Sequence, residues 1–336
     1  MDLSNLTLVT PPRIDSQWSK ADIMGALRVR LSMGRNTYRV NPGLYKLGNP
    51  GKEAEVLVTA NYKLSFDLLR KNLEGMDVWV LVLETYGINV WCAAGKGTFG
   101  TEELIRQIKD SRLDLYVSHK RVIIPQLGAP GISGFKVKET TGFKVKFGPV
   151  RAEDIGAYVA GGLKKDQAMR SVRFDLKDRL LLAPVEVVNS LKYLLYAMLI
   201  MVLISGISSG GYSLTEMWHE GLSSVLYLSL AYFTGAFLSP VLLPWLPFRH
   251  FGGKGLVAGF VIFGFLALLG WSSYPPLYFV GWFLISGAIS SFLAMNFTGA
   301  STYTSLSGVQ KEMRFFVPLQ IAFVLVGLAL IIVSKF

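Results

Sequence analysis

Uncharged stretches dominate the carboxy-terminal part of this chain of 336 residues. They contain 23, 28, 56 and 20 consecutive residues without Asp, Glu, Lys or Arg, and the first begins after Lys192. One helix needs about 20 apolar residues to cross the hydrocarbon core of a bilayer. The segment Trp-Ser-Ser-Tyr-Pro-Pro, which ends at Pro276, divides the longest stretch into two. The sequence therefore predicts five transmembrane helices, near 191–208, 222–246, 255–272, 277–296 and 315–333.

Charged residues are concentrated in the rest of the chain. Residues 1–192 hold 29 of the 34 Lys and Arg and 20 of the 23 Asp and Glu. Charged residues make up 17% of the chain and its mean hydropathy is +0.41, whereas soluble domains average about 25% charged residues. These values argue against an ordinary soluble enzyme and indicate a basic soluble domain followed by a membrane domain. Cys92 is the single cysteine, which excludes disulfide scaffolds and cysteine-rich metal sites.

The loops between the predicted membrane helices differ in charge. Lys and Arg occur at 249–254 and 311–314, while the loop after the first helix has Glu216 and Glu220 and neither Lys nor Arg. Because positively charged loops face the cytoplasm, we expect a multi-pass protein of the cytoplasmic (inner) membrane. The soluble domain then faces the cytoplasm and Phe336 lies outside.

The interiors of the predicted spans have no Asp, Glu, Lys or Arg, whereas ion and proton pathways usually need one. Gly and Ser recur there instead, as at Gly281, Ser290 and Ser291, which suits close helix packing. An anchor or docking platform is therefore favoured over a transporter. Basic residues before the first span are expected to meet anionic headgroups of the lipid bilayer: Arg170, Arg173, Lys177 and Arg179.

Strand and helix patterns alternate along the soluble part of the chain. Apolar runs predict strands at 55–59, 77–83, 89–91, 121–125 and 143–147. Helical spacing of apolar residues predicts helices at 62–72, 101–109 and 152–160, and Thr101 is expected to be an N-cap. Buried strands separated by helices indicate an α/β domain with a mainly parallel, Rossmann-like sheet.

Four segments follow from these patterns. Residues 1–54 are rich in Pro and Gly and predict a loop-rich extension that packs on the α/β domain of residues 55–165. A basic juxtamembrane linker is expected at 166–190, before the transmembrane domain of residues 191–336.

Lysines alternate with apolar residues at 135–138 and 143–146. This alternation is typical of edge strands with one solvated face, and no RNA-binding or DNA-binding motif accompanies it. Nucleic acid is therefore not expected as a partner.

Ligands of open α/β sheets bind at the carboxyl ends of the strands. Loops are predicted at that edge over residues 59–61, 84–96, 126–131 and 148–150. The second loop carries Asn-Val-Trp-Cys-Ala-Ala-Gly-Lys at 89–96. This is not a phosphate-binding P-loop, because Val90 and Gly97 stand where that motif needs Gly and Ser or Thr.

The residues alone leave two interpretations of Cys92 open. A position near a helix N-terminus, with Lys96 four residues further on, favours a reactive thiolate. The histidine that could act as its base, His119, is not placed near it by the sequence. The other interpretation is a small buried structural residue.

A resemblance to two groups of proteins helps to decide between these interpretations of Cys92. Residues 89–96 resemble the cap helix of the HgcA family, the corrinoid proteins of bacterial and archaeal mercury methylation. Residues 55–165 resemble the corrinoid-binding domain in the large subunit of corrinoid iron–sulfur proteins. Three stretches carry this second likeness: Val58–Asn61, Val122–Gly131 and Phe147–Arg151.

The resemblance implies a cobalamin-type corrinoid, bound with its own nucleotide base displaced. It implies that Cys92 is the lower axial ligand of cobalt, the only metal-binding and catalytic residue expected. The corrin ring is expected against the cap helix, formed by Asn89, Val90, Trp91, Cys92, Ala93, Ala94, Gly95 and Lys96. The nucleotide tail is expected in a pocket lined by Thr59, Asn61, Gln126, Gly128, Ala129, Gly148 and Pro149.

The resemblance also implies an activity and partners. A corrinoid-dependent methyltransferase would take a methyl group from a donor protein or a methyltetrahydrofolate-type donor and pass it to Hg(II), giving methylmercury. Loading the methyl group on cobalt needs electrons, and one cysteine cannot hold an iron–sulfur cluster, which takes four. A separate HgcB-type ferredoxin with two 4Fe–4S clusters is therefore implied. Two alternatives remain: a corrinoid methyl carrier of acetyl-CoA-pathway one-carbon metabolism, and a transporter with a regulatory domain.

Overall fold

A computed structural model of the chain describes residues 10–35, 37–268, 275–297 and 306–336. The chain divides into two compact units, one of residues 1–29 and 33–172 and one of residues 30–32 and 173–336. The amino-terminal unit holds a sheet of six strands: β1 (Arg13–Ile14), β2 (Gly43–Leu47), β3 (Val56–Ala60), β4 (Val78–Leu83), β5 (Arg121–Ile124) and β6 (Lys144–Phe147).

The strand order across this sheet is β1-β2-β4-β3-β5-β6. β3 pairs in parallel with β4 and with β5, and β5 pairs in parallel with β6. Only β2 and β4 run antiparallel among the pairs of this sheet. The prediction of an α/β domain with a mainly parallel sheet is confirmed.

Helices cover both faces of the sheet. The helices of this unit are α1 (Lys20–Arg30), α2 (Lys63–Lys71), α3 (Val90–Lys96), α4 (Thr101–Asp110), α5 (Gly134–Thr141), α6 (Ile155–Ala160) and α7 (Gln167–Arg170). Val58 and Leu81 pack on one face with Leu104 of α4, whereas Leu57 packs on the other with Phe66 of α2. Successive residues of a strand point to opposite faces, so continuous apolar runs are needed to fill both cores.

Four local predictions are wrong in this unit. Residues 89–91 are not a strand, because Asn89 caps α3 and Val90 begins it. Gly100, rather than Thr101, is the N-cap of α4; the Thr101 hydroxyl instead donates to Gly131 O at 3.2 Å and accepts from Ser133 N at 2.8 Å. The lysines at 136 and 138 lie on helix α5, not on an edge strand.

The fourth concerns residues 1–54, whose described part, 10–35 and 37–54, is not a loop-rich extension. β2 pairs along its whole length with the central strand β4, and α1 is joined to α2 by ion pairs. Asp22 of α1 contacts Lys63 at 2.5 Å and Arg70 at 2.8 Å. Asp67, which is buried, contacts the same two cations at 2.6 and 2.8 Å. The expected boundary at residue 54 therefore cuts through one packed unit.

The carboxy-terminal unit is helical. Its helices are α8 (Leu176–Ser205), α9 (Leu214–Phe233), α10 (Ser239–Val241), α11 (Phe251–Leu268), α12 (Pro276–Asn296) and α13 (Leu306–Val333). A π-helical turn at Thr234–Leu238 joins α9 to α10, and the short strands β7 (Ile207–Ser208) and β8 (Gly211–Tyr212) form a hairpin. Small residues let these helices approach closely: a Cβ on Gly281 would lie 2.6 Å from Gly327 O.

Four segments of the described chain are long and apolar enough to cross a membrane. They are Leu176–Ser205, Leu214–Val241, Pro276–Asn296 and Gly308–Val333. Five spans were expected; the helix in place of the third is a shorter apolar one, Phe251–Leu266, and residues 269–272 of that expected span lie outside the described residues.

The first membrane helix begins earlier than expected. Asp175 caps it by accepting a hydrogen bond from Asp178 N at 3.1 Å, so α8 starts at Leu176 instead of 191. Most of the expected linker at 166–190 is therefore helix. As a consequence Glu186 lies within a candidate span. Within the same bounds Glu216 and Glu220 lie in the second candidate span and Lys311, Glu312 and Arg314 in the last, so the expectation that the spans lack charged residues is wrong for all of them except Pro276–Asn296.

Candidate functional site

A cavity of about 440 Å³ opens at the carboxyl ends of β3, β5 and β6. β4 lies on one side of β3 and β5 on the other, so the chain reverses its direction of winding between β3 and β5. This is the topological switch point at which open α/β sheets bind ligands. The volume is in the range of small-molecule sites, about 300–1,000 Å³.

The cavity is lined by residues of β3, β5, α2 and α3 and of the segment after β6. Predicted residues that line it are Thr59, Asn89, Val90, Trp91, Gly148 and Pro149. Gly148 follows β6 directly, and a Cβ there would lie 2.9 Å from Ile123 Cγ2, so a side chain would press on β5. The other wall comes from α2, whose Ser65, Leu68 and Asn72 were missed because a pattern of helical spacing does not show which loops a helix faces.

Helix α3 presents Cys92 beside this cavity. The Asn89 side-chain oxygen accepts a hydrogen bond from Cys92 N at 2.9 Å, and Gly97 ends the helix in a left-handed conformation with φ 80°. Cys92 is exposed. The structure therefore excludes the alternative of a buried structural cysteine.

The helix has two different faces. Trp91, Cys92, Gly95 and Lys96 are exposed, and Trp91 also lines the cavity. A Cβ added to Gly95 would meet no atom within 4 Å, so this face is open. α3 thus offers a thiol, an indole ring and a cation on one accessible surface that continues into the cavity.

The opposite face of α3 corrects part of the prediction. Ala93 and Ala94 are buried in the core and do not face outward. They pack on the segment Gln126–Gly131, where a Cβ on Gly131 would lie 2.1 Å from Phe99 O and 3.3 Å from Ala94 Cα. These small residues allow close packing inside the domain, so they do not provide the surface for a ligand.

Three other predicted residues serve the same packing or lie away from the cavity. Gly128 is buried, and a Cβ there would lie 2.5 Å from the ring of Phe99. Ala129 is half-buried and is not among the lining residues. The Gln126 side-chain oxygen accepts a hydrogen bond from Lys165 Nζ, outside the cavity lining.

Asn61 has a structural role in the loop before α3. It is buried, and its side-chain oxygen accepts hydrogen bonds from Thr85 N at 3.1 Å, Thr85 Oγ1 at 2.9 Å and Gly87 N at 3.0 Å. Its amide donates to Glu84 Oε1 at 2.7 Å. Because every polar atom of its side chain is engaged, Asn61 fixes this loop and is not a contact for a ligand.

His119 cannot serve as a base for Cys92. Its Nε2 donates to Ala54 O at 2.9 Å, and Ala54 lies just before β3 begins. Cys92 follows the carboxyl end of β4, which is parallel to β3. The two side chains therefore belong to opposite edges of the sheet. Among the described residues, no group of three or more His, Cys, Asp and Glu could hold a metal ion.

Comparison with known proteins shows which family this sheet is similar to. Residues 17–159 match the family model CdhD, described as the CO dehydrogenase/acetyl-CoA synthase delta subunit. This part of the amino-terminal unit is therefore similar to the CdhD family. The match begins at residue 17, shortly before α1, and includes β2, in agreement with the sheet that these elements complete.

The relatives that this part of the chain matches are larger proteins. The acetyl-CoA decarbonylase/synthase complex subunit gamma of Methanopyrus kandleri is 30% identical over 127 residues, which cover 37% of this chain and 27% of that protein. The corrinoid/iron-sulfur protein large subunit of Moorella thermoacetica is 30% identical over 127 residues, covering 37% and 28%. The gamma 2 subunit of Methanosarcina mazei is 32% identical over 120 residues, covering 34% and 25%. The chain thus spans about a quarter of the length of these relatives.

Proposed function

We propose that the amino-terminal unit binds a cobalamin-type corrinoid. In this proposal Cys92 is the lower axial ligand of cobalt, and the cofactor's own base is displaced. The exposed Cys92 thiol beside the switch-point cavity is the observation that carries this proposal. Its support from comparison is the corrinoid/iron-sulfur protein large subunit among the relatives.

The residues at the site fit such a cofactor. A thiolate is a soft ligand of the kind that suits a transition metal bound through sulfur. The open face of α3, with Trp91, Cys92 and Gly95, would receive the flat ring, because no side chain projects from Gly95. The cavity lined by Thr59 and Gly148 would receive the nucleotide tail.

The domain's own groups prepare Cys92 for this role. Its Sγ would bind cobalt as a thiolate, and Lys96 lies one turn further along the same exposed face of α3. The hydrogen bond from Cys92 N to Asn89 fixes the turn from which the thiol projects.

The proposed activity is a corrinoid-dependent methyl transfer from a methyltetrahydrofolate-type donor to Hg(II). When bound, the corrinoid supplies a cobalt that accepts a methyl group and releases it again. A Cys92 thiolate that held the cobalt would donate electron density to it, and this would favour transfer of the methyl group with its bonding electrons to an electrophile. Mercuric ion is such an electrophile. The likeness of residues 89–96 to the HgcA family supports this choice of acceptor.

Electrons must come from a partner. The chain contains one cysteine, and an iron–sulfur cluster needs four ligands, so this chain cannot bind one through cysteines alone. We therefore include an HgcB-type ferredoxin with two 4Fe–4S clusters in the proposal. The apolar helices of the carboxy-terminal unit would hold the protein in the cytoplasmic membrane, with the corrinoid domain on the cytoplasmic side.

The names of the relatives favour a second candidate function. Several are subunits of acetyl-CoA decarbonylase/synthase complexes, which supports a corrinoid methyl carrier of acetyl-CoA-pathway one-carbon metabolism. Both candidates use the same cofactor and differ in the acceptor. The likeness of residues 89–96 to the HgcA cap helix favours mercury as the acceptor, and a thiolate ligand at Cys92 would suit an electrophilic acceptor.

Replacement of Cys92 tests the proposal. We expect Cys92→Ala protein, purified and loaded with cobalamin, to lose the thiolate–cobalt absorption bands and to show a base-off spectrum. Methylation of Hg(II), assayed with a reduced ferredoxin and a methyl donor, should fall to background. Thr140→Ala, an exposed change on α5, serves as the control and should leave both measurements unchanged.

Two results would contradict the proposal. A Cys92→Ala protein that methylates mercury at the wild-type rate would exclude the axial-ligand assignment. Wild-type protein that binds cobalamin with the thiolate bands but transfers methyl groups only to an acetyl-CoA-forming acceptor would favour the second candidate. Cys92→His separates cofactor binding from methyl transfer. Because imidazole also binds cobalt but donates less charge, cofactor binding should persist while transfer to Hg(II) falls.

A further inference from the structure

A second cavity, of about 840 Å³, lies within the carboxy-terminal unit among α8, α9, α12 and α13. It is separate from the corrinoid site proposed above, since all its lining residues belong to the membrane helices. Its polar lining residues are Glu186, Asn189, Ser190, Tyr193, Tyr232, Asn296 and Gln320.

The polar residues lie at one height in the helix bundle. The hydroxyl oxygens of Ser190 of α8 and Tyr232 of α9 lie 3.1 Å apart, and Ser290 of α12 donates to Ala231 O at 2.8 Å. Gln320 of α13 donates to the neighbouring Ser291 Oγ at 2.8 Å. These contacts link α8, α9, α12 and α13 to one another at one level of the bundle. Glu186 lies four residues before Ser190, about one helical turn away.

The rest of the cavity is apolar. The residues that line it away from the polar level are Leu194, Ala197, Leu228, Ala288, Val324 and Leu325. Eleven residues of α8 separate Glu186 from Ala197, a distance of roughly 16 Å along the helix. The cavity is therefore an elongated site with a polar end and an apolar end.

The polar end contains a buried acceptor without a donor. Gln320 is only 5% exposed. Ser291 gives its hydroxyl proton to Gly252 O at 2.8 Å, so it must accept from Gln320 Nε2, and this fixes the orientation of the amide. In the described part of the chain Gln320 Oε1 then has no hydrogen-bond partner. An unsatisfied buried acceptor is costly and needs an explanation.

Glu186 adds a negative charge at the same end. The hydroxyls of Ser190 and Tyr232 are directed at backbone carbonyls of α8, those of Glu186 and Val187. No hydrogen bond to the Glu186 carboxylate is formed by the residues that the structure describes. Charged residues inside membrane helices usually mark a functional site. Two acceptors, one of them a carboxyl group, thus have no donor among the residues that the structure describes.

We propose that this cavity binds a membrane lipid whose head carries a primary ammonium group, of the phosphatidylethanolamine class. The ammonium has three N–H donors and a positive charge, so it can donate to Gln320 Oε1 and pair with Glu186. An acyl chain then lies along the apolar end, against Leu194, Ala197 and Leu325. The ligand matches the site in charge, in donors and in the order of its polar and apolar parts.

Lipid competition tests this assignment on the full-length protein. The protein is exchanged into micelles that contain equal amounts of phosphatidylethanolamine, phosphatidylcholine and phosphatidylglycerol, and retained lipids are counted by native mass spectrometry. We expect wild-type protein to keep one phosphatidylethanolamine in preference to the others. Phosphatidylcholine lacks N–H donors and phosphatidylglycerol lacks the positive charge.

Two substitutions remove the acceptors. Gln320→Leu and Glu186→Gln should each reduce the preference for phosphatidylethanolamine by roughly tenfold or more, as expected for loss of a hydrogen bond to a charged group. Matched controls are Gln310→Leu, an exposed position on the same helix α13, and Glu216→Gln near the start of α9, both outside the cavity. These should retain the preference. Ala197→Phe, which fills the apolar end and leaves both acceptors in place, should also abolish retention.

Three outcomes would overturn the proposal. One is equal retention of the three lipids by wild-type protein. Another is an unchanged preference in both acceptor variants, provided that their melting temperatures match the wild type; if they do not fold, Ala197→Phe decides the question alone. The third is a dimer mass that disappears with Ala197→Phe, which would show that a second copy of the chain covers the cavity. None of these results depends on methyl transfer, so they leave the proposed function untouched.

Discussion

At the scale of single residues, the accessibility of Cys92 depends on the phase of one short helix. Ala93 and Ala94 point into the core, and the helical repeat therefore turns Cys92 and Lys96 outward. Asn89 sets this phase, because its side chain fixes the first turn through Cys92 N. A change of the cap should therefore affect the cysteine more than the rest of the domain.

Asn89→Ala is expected to lower the free energy of unfolding by about 1 kcal/mol, the usual cost of a lost N-cap. Because the lost hydrogen bond ends at Cys92 N, we also expect weaker cobalamin binding and weaker thiolate–cobalt bands. Urea unfolding and the absorption spectrum measure the two effects.

Ser133→Ala is the matched control for this prediction, since Ser133 caps α5 in the same way by accepting from Lys136 N. It should reduce stability by a similar amount and leave the spectrum unchanged. Equal spectral loss in both variants would show that α3 has no special part in binding.

At the scale of elements, charge joins α1 to α2. Burial alone would raise the pKa of the Asp22 carboxyl, but hydrogen bonds from Lys63, Ser19 and Arg70 outweigh it and hold the pKa well below its usual range. Arg70 extends the junction by donating to Asp15 O at 2.6 Å and Gln17 O at 2.8 Å. This network connects the first elements of the chain to a helix that forms one wall of the proposed cofactor cavity.

The stabilisation by Asp22 should depend on pH. A carboxyl whose pKa is lower in the folded state stabilises the fold fully above its unfolded value, about 3.9, and loses that effect as the pH falls towards the folded value. Asp22→Asn should therefore lower the free energy of unfolding by roughly 1–3 kcal/mol at pH 7, since it leaves Lys63 and Arg70 partly unpaired. The difference from wild type should shrink below about pH 4.

Urea titrations at pH 7, 5 and 3 measure this difference. Asp114→Asn, at an exposed aspartate, is the control and should change little at any pH. A difference between Asp22→Asn and wild type that stays constant down to pH 3 would contradict the assigned cause.

Helices and strands could be predicted from the sequence where burial is two-sided or strictly periodic. β3, β4 and β5 appear as apolar runs because both faces of the sheet are covered, and α2 appears through the spacing of Leu64 and Leu68. β2 and α1 were missed because Gly, Pro and charged residues dilute their apolar signal, and ion pairs replace apolar contacts between α1 and α2.

The residues of the candidate site could be predicted from the sequence only in part. Loop residues that directly follow strands, such as Thr59 and Gly148, line the cavity because parallel strands end at one edge. The sequence could not separate these from residues such as Asn61 and Gly128, whose polar atoms or missing side chains serve the packing of the domain itself. That distinction requires three-dimensional contacts.

At the scale of the whole molecule, the arrangement of charges leads to a prediction of topology. Basic loops alternate along the apolar helices with a loop that holds Glu216 and Glu220. A reporter inserted at 249–254 should be active only in the cytoplasm, and one fused after Phe336 only on the outside. A reporter in the β7–β8 hairpin, at Ser209, should match the Phe336 fusion. Activity of the Phe336 fusion in the cytoplasm would reverse the expected orientation and place the proposed corrinoid site on the side opposite the proposed methyl donor.

The hydrogen bonds of Asn61 have a consequence for how the proposed cofactor is acquired. They fix the loop of residues 84–87, which leads directly into α3, before any ligand arrives. The entropy of ordering this loop is therefore lost when the domain folds and not when the cofactor binds, and such preorganisation raises affinity. Cofactor loading would then be a docking step with a small change in heat capacity, in contrast to coupled folding and binding. Apo-protein stored without cobalamin should keep its ordered loop and remain competent for loading.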